Sequence, residues 1–172
     1  MQFQNLQVHW ETLPHYSDVA FRPIEKKYLK VLYITWSILY ALVLAADITV
    51  ILLVENIDRL VWLLLSIAII LLLIVAGFFV GTRSFHRKAY AVREKDILFR
   101  TGWIFQKLHI IPFNRIQHCV VQSGPIERKY GLASVSIYTA ASNVQDITIR
   151  GLQQADAESL KSYILQQIQP LY

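Results

Sequence analysis

The chain reads as an α + β membrane protein, a two-helix transmembrane hairpin followed by a bent antiparallel β-sheet or barrel with a C-terminal helix. Three observations predict this. Residues 31–54 and 61–80 are almost continuously apolar. From Arg83 onward the apolar residues break into short runs of strand-like alternation. In the last segment the period becomes helical, with Ala157, Leu160, Ile164 and Ile168 on one stripe.

The opening stretch, "MQFQNLQVHWETLPHYSDVA", has no basic start ahead of an apolar core. It is read as part of a cytoplasmic N-terminal segment, 1–30, and not as a cleavable signal. The first span, 31–54, is apolar except for Asp47 and a few small polar residues, and the second, 61–81, carries no charge. Each exceeds the roughly 18–20 residues that cross a hydrocarbon core about 30 Å thick at about 1.5 Å per residue. The connector 55–60, "ENIDRL", is short enough to demand a tight hairpin. With 55% apolar and 17% charged residues in 172, too little other chain exists to wrap two helices that are apolar all round.

Orientation follows from the flanks. Arg22, Lys26, Lys27 and Lys30 precede the first span, and Arg83, Arg87 and Lys88 follow the second. The connector holds Glu55 and Asp58 against Arg59. Positive residues stay on the cytoplasmic side, so both termini are expected there and the connector outside. Trp36, Trp62, Tyr28 and Tyr33 are suited to anchor the spans at the interfaces. Gly77 and Gly81 form a GxxxG, and Ala41 and Ala45 a small-xxx-small pair, so these four are candidate helix-packing positions. Asp47 lies about two turns from the outer end of its helix, where a carboxylate can snorkel outward or bond to a neighbouring helix.

The region 83–172 holds 12 of the 17 basic residues and six acids, a net +6. "KAYAVR" and "ILFRTG" predict two strands joined through "EKD"; "KLHIIP", "IQHCVVQS", "ASVSIYTA" and "DITIRG" predict four more. Within the fifth, Val135 and Ile137 face one side while Ser134, Ser136 and Tyr138 face the other. "DAESLKSYILQQI" closes the series as an amphipathic helix, with Asp156 and Glu158 in the first turn, where the helix dipole favours acids.

Two spans followed by "YAVREKDILFRTG", "IPFNRIQHCVVQSGPIERKYGLASVSIYTA" and "ITIRGL" resemble the YdbS-like bacterial pleckstrin-homology-like, membrane-flanked family. The most specific segments are Pro112, Arg115, Ile116 and Gln117, and then Arg128, Gly131, Leu132 and Ala133. The resemblance runs from about Asp18 to Ile168. It implies a PH-like domain over 83–172, seated on the bacterial cytoplasmic (inner) membrane. It also implies an accessory role beside a larger family member that repeats the same module, in envelope stress or tolerance of membrane-active peptides. Eukaryotic relatives of the fold bind inositol phospholipids through basic residues in the first strand–strand loop. The corresponding loop here, Glu94 to Asp96, departs from that pattern with two acids around Lys95.

Little else points to chemistry. His118 and Cys119 are neighbours in a predicted strand and so face opposite sides, which separates a thiol from its would-be base. Cys119, the single cysteine, is read as a core residue. The five histidines lack metal-ligand spacing, although His109 and His118 could meet across two strands. Neither a phosphate-binding glycine loop nor a nucleic-acid motif is present, so no enzyme activity, cofactor or nucleic-acid partner is expected. The juxtamembrane residues Lys26, Lys27, Lys30, Arg83, Arg87 and Lys88 suit anionic lipid. Arg128, Lys129 and Arg115 are the candidate contacts for a partner or a lipid headgroup. The leading expectation is a membrane-anchored interaction or scaffold protein that contacts membrane lipids and a larger family member or a second copy of itself. The alternative is a lipid or amphiphile sensor at the inner leaflet.

Overall fold

The computed structural model describes residues 19–53, 58–139 and 147–168. The stretch 1–18, half of the connector between the spans, and the end of the fifth and start of the sixth predicted strands lie outside them.

Helix α1 (Lys27–Leu53) and helix α2 (Arg59–Arg87) contain 27 and 29 residues. At 1.5 Å per residue they are about 40 Å and 44 Å long, roughly 10 Å more than the hydrocarbon core requires. The surplus lies at the end shared with the β-domain. Around it run β1 (Arg22–Pro23), β2 (Ala89–Val92), β3 (Asp96–Thr101) and β4 (Lys107–Pro112). These form a four-stranded antiparallel sheet in that order. A single 3₁₀ turn, Phe113–Arg115, leads into β5 (Ile116–Gln122). A short helix α3 (Pro125–Lys129) then precedes β6 (Leu132–Thr139), β7 (Ile147–Gln153) and helix α4 (Gln154–Ile168). Strands β5, β6 and β7 make a second, three-stranded antiparallel sheet. The expected sheet or barrel is thus two bent sheets and not a closed barrel.

Between the sheets and α4 lies one core. Ile97, Phe99, Ile111, Leu132, Val135, Ile137 and Ile149 are buried in it. Ala157, Leu160 and Ile164 of α4 complete it, with Ile168 partly buried at the end of the same stripe. The amphipathic period of α4 therefore faces the β-sheets, as its spacing predicted. Strand β6 departs from simple alternation, because Ser134 and Ser136 on its second face are also buried. Their hydroxyls are satisfied: Ser134 donates to Glu127 Oε1 at 3.0 Å, and Ser136 lies 3.0 Å from the Thr148 hydroxyl. Polar residues on a strand thus mark a covered face here, supplied with internal hydrogen-bond partners.

The core also takes in Ile24, Tyr28 and Val31 from before and within the start of α1, and Phe85 from the end of α2. β1 pairs with β2 through Arg22↔Tyr90 and Pro23↔Ala89. The Glu25 N–H donates to the Gly151 carbonyl at 3.0 Å, and Gln153 Nε2 donates to Glu25 Oε1 at 2.9 Å. Gly151 sits at the register shift between β6 and β7 with φ +78°, the left-handed region that favours glycine. A Cβ there would come within 2.6 Å of Tyr28 Cγ, so the N-terminal segment reaches the sheet only because this residue has no side chain. The β-domain predicted over 83–172 therefore includes residues from 22 to 31.

Within the hairpin, Gly77 is the close-packing position. A Cβ there would come within 2.7 Å of Trp36 Cε3, whereas one on Gly81 would meet nothing within 4 Å. Tyr33 and Tyr40 tie the helices further. The Tyr33 hydroxyl is 2.7 Å from Thr82 Oγ1, and Tyr40 donates to the Leu73 carbonyl at 3.0 Å. Ala41 and Ala45 are both exposed on α1, and Asp47 is half-buried.

Two substitutions test these contacts. Gly151→Ala combines a disfavoured backbone conformation with overpacking against Tyr28, and is expected to cost roughly 2–4 kcal/mol, read as a lowered unfolding midpoint in detergent. Gly77→Ala is expected to destabilise the hairpin by roughly 1–3 kcal/mol while Gly81→Ala leaves the midpoint unchanged. Equal effects of the last two would contradict the packing described.

Candidate functional site

The candidate residues fall into three places around the junction of hairpin and domain. Lys26, Lys27, Lys30, Arg83 and Arg87 are exposed, on the ends of α1 and α2 nearest the β-domain. Lys88 differs: it is half-buried, and burial holds its ammonium below the ordinary lysine range, helped by the Arg150 cation. Lys88 is therefore less available to lipid than its place in the sequence suggested.

Arg128 and Lys129 are exposed at the C-terminal end of α3, a helix where the sequence suggested an irregular connection. Pro125 starts this helix without losing a needed donor. Glu127 fixes it on both sides, accepting from the Gly124 N–H at 3.0 Å and from the Ser134 hydroxyl at 3.0 Å. Gly131, with φ +67°, turns the chain into β6. The half-buried Ile126 packs against the domain core, leaving the two cations outward.

Beside α3 opens a cleft of about 580 Å³ between the base of α1 and the second sheet. One wall is apolar, with Val31, Leu32, Trp36 and Ile126; the other offers Gln122, Glu127, Ser134 and Arg150. Its position is informative, because Thr35 and Trp36 belong to the first span. The cleft thus adjoins an apolar helix long enough to cross a bilayer and pairs an apolar side with charged and hydrogen-bonding groups.

Arg115 lies elsewhere. It is exposed at the end of the 3₁₀ turn and lines a second cavity, about 480 Å³, with His109, Ile110, Thr139 and Ile147. This space opens between β4 and the second sheet. A convergence of Arg115, His118 and a carboxylate does not occur there, since the lining contains neither His118 nor an acid. His109 stacks on Phe99 in the first sheet, and His118 stacks on Tyr138 in the second, with ring centroids 4.3 Å apart. The two histidines belong to separate sheets and make no cross-strand pair. Cys119 is buried in the core, and burial pushes its thiol pKa up, away from a reactive thiolate. Among the described residues no three His, Cys, Asp or Glu side chains cluster in a way that could hold a metal.

The first hairpin loop of the domain has one of its two acids engaged. The Arg93 guanidinium grips the Asp96 carboxylate through Nε at 2.6 Å, a bidentate pair that leaves Lys95 as the remaining cation of that loop.

Sequence reasoning passed over two features of this junction. Arg150, on β7, contributes a cation to the cleft although it is 62 residues from Lys88 and lies in a strand whose pattern suggested only pairing. Trp103, in the β3–β4 loop, packs edge-to-face on Phe79 of α2 at 5.5 Å, and Arg83 lies 5.2 Å from the Phe79 ring centroid. The signal for it was an apolar run, "WIF", directly after a glycine at a turn.

Parts of the chain are similar to known proteins. The UPF0699 transmembrane protein YdbS of Bacillus subtilis (strain 168) is 37% identical over 67 residues, 39% of this chain and 42% of that protein. The aligned part thus spans less than half of that relative's length. The crystal structure of a DUF1696 family protein with a pleckstrin-homology domain, from Shewanella loihica PV-4, superposes with a TM-score of 0.38 at 14% identity. That superposition covers 48% of this chain and 72% of the other. Two helices long and apolar enough to cross a bilayer, together with a transmembrane relative, make this a membrane protein. Residues 31–168, which include all but the first turn of α1, all of α2 and every strand except β1, match the Bacterial PH domain family, and the chain belongs to it.

Proposed function

We propose that the protein is a non-enzymatic, membrane-anchored interaction module, working on the cytoplasmic face of the bacterial inner membrane in a complex with a larger protein of the same family. The observation that carries this reading is the double attachment of the hairpin. Ile24 before α1, Tyr28 in its first turn and Phe85 in the last turn of α2 enter one core. A PH-like domain held at two points does not swing on a linker, so it offers a surface of set orientation to a partner arriving in the plane of the membrane. Arg128 and Lys129 stand on that surface, and the exposed Ala41 and Ala45 give α1 a face that a partner span can approach closely. Basic residues at both helix ends favour a cytoplasmic domain, with both termini on that side. An envelope-stress setting, including tolerance of membrane-active peptides, is what the family resemblance supports.

A second reading, binding of a lipid or amphiphile, is favoured by the 580 Å³ cleft with its one apolar and one polar wall.

The full chain is the proper object of both tests, since a fragment starting at Arg83 would lack Ile24, Tyr28 and Val31 from its core. Extraction from native membranes in mild detergent, followed by mass measurement of the intact assembly, is expected to give a complex heavier than one chain and containing a larger family member. Recovery of a lone monomer would remove the first reading. Native mass spectrometry of the same preparation tests the second: a retained amphiphile, lost in Thr35→Trp where the new ring fills the cleft mouth, supports it, and its absence from the unaltered protein removes it.

A further inference from the structure

The β3–β4 loop, 102–106, is a short apolar tip that neither the topology nor the partner reading uses. Trp103 is half-buried, whereas Ile104 is 70% and Phe105 81% exposed. Outside the two spans these are the most exposed large apolar side chains among the described residues. The tip is built, not merely uncovered. Gly102 has φ +90°, and a Cβ on it would come within 2.9 Å of the Phe105 carbonyl carbon, so the chain doubles back tightly and thrusts residues 103–105 outward.

Its depth is set by α2. Trp103 lies edge-to-face on Phe79 at 5.5 Å, and Arg83 is within 6.0 Å of the Trp103 ring centroid. Phe79 belongs to the charge-free run 61–80, and Arg83 is the first cation after it. The contact therefore places the tip at the boundary between hydrocarbon and headgroups, about one helical turn from Arg83 toward the lipid. Tryptophan is favoured at that level, with its ring in the apolar edge and its N–H toward water. Arg83 and the exposed Lys107, which follows the loop, flank it with positive charge of the sign that anionic headgroups attract.

We propose that residues 103–105 form a membrane-inserting loop, with Ile104 and Phe105 immersed in the cytoplasmic leaflet beside α2. The occupant of this apolar surface is lipid, because the surface continues the exposed side of α2 at Phe79 and no element among the described residues covers it. Immersion gives the β-domain a third attachment to the bilayer, on the side of α2, and fixes its tilt. The inference depends on α2 crossing the membrane and is independent of whether a larger partner exists.

The test uses the full chain in proteoliposomes. In a Cys119→Ala background, Ile104→Cys and Phe105→Cys are labelled separately with an environment-sensitive fluorophore, and Lys95→Cys, at the opposite end of β3, serves as the water-exposed control. At both tip positions the emission is expected to shift to the blue. Iodide quenching there should be several-fold weaker than at residue 95, and lipids labelled with a quencher near the headgroup should quench strongly. These results must hold when the protein-to-lipid ratio is lowered. Iodide quenching equal to that at residue 95 would overturn the proposal. Protection that disappears on dilution in lipid would also overturn it, because a second copy of the chain and not the bilayer would then be covering the tip. A labelled tip variant that fails to assemble is replaced by the other, and the two positions report independently.

Discussion

Everything about the placement of this domain depends on the close approach of Ile24 and Tyr28 to Gly151. The hairpin ends could have entered the β-domain through flexible linkers. Instead the segment before α1 lies across β7 and donates its Glu25 N–H to the Gly151 carbonyl, and Ile24 and the first-turn Tyr28 enter the core. Burial of an aliphatic or aromatic side chain stabilises by about 1.5–3 kcal/mol, so Ile24, Tyr28 and Phe85 together resist separation of the membrane part from the sheet part. A side chain at residue 151 would occupy the space that Tyr28 fills. Glycine at that bulge is the geometrical condition for a rigid junction.

From that junction the remaining features follow in order. With α1 and α2 both rooted in the domain, the second face of β6 cannot be open to water, and it is covered by α3 and the base of α1. The cost of burying Ser134 and Ser136 is offset by a short polar network through Glu127, Gln122 and Thr148. Glu127 thereby has two tasks, since it also fixes the start of α3. The same coverage leaves a cleft where the packing of α1 against the sheet is incomplete, at the level of Trp36. Burial of Lys88 beside Arg150 is a further consequence, and that burial, with the Arg150 cation adding to it, holds one member of the juxtamembrane basic group below the usual ammonium range.

Legibility in the sequence tracked the range of the interactions. The spans were visible because lipid demands an unbroken apolar surface, and each strand of 89–139 because alternation is a local property. The path of α4 along the core was visible in its stripe. What escaped depended on distant partners. β1 is two residues long and exists only by pairing with β2, Arg22 with Tyr90 68 residues later and Pro23 with Ala89 66 residues later. Strand β7 runs on through Gly151 to Gln153, although a glycine suggested its end, because the bulge absorbs the extra residue. Among the candidate contacts, Arg128 and Lys129 were found by their position beside a glycine, but their helix was not. Gly77 and Gly81 looked equivalent and differ because only one of them faces Trp36.

By itself, then, the sequence determined the solvent of each segment: apolar runs for lipid, alternating runs for a half-buried sheet, basic flanks for water at the ends of the spans. These are statements about one residue and its near neighbours, and transfer free energies decide them locally. The tertiary structure alone decided which surfaces meet. It joined residues 24 and 28 to 151, turned the connection after β5 into a capped helix, and carried the 102–106 tip to Phe79. Such contacts depend on shape at specific points, where the presence or absence of one Cβ determines whether two segments can touch.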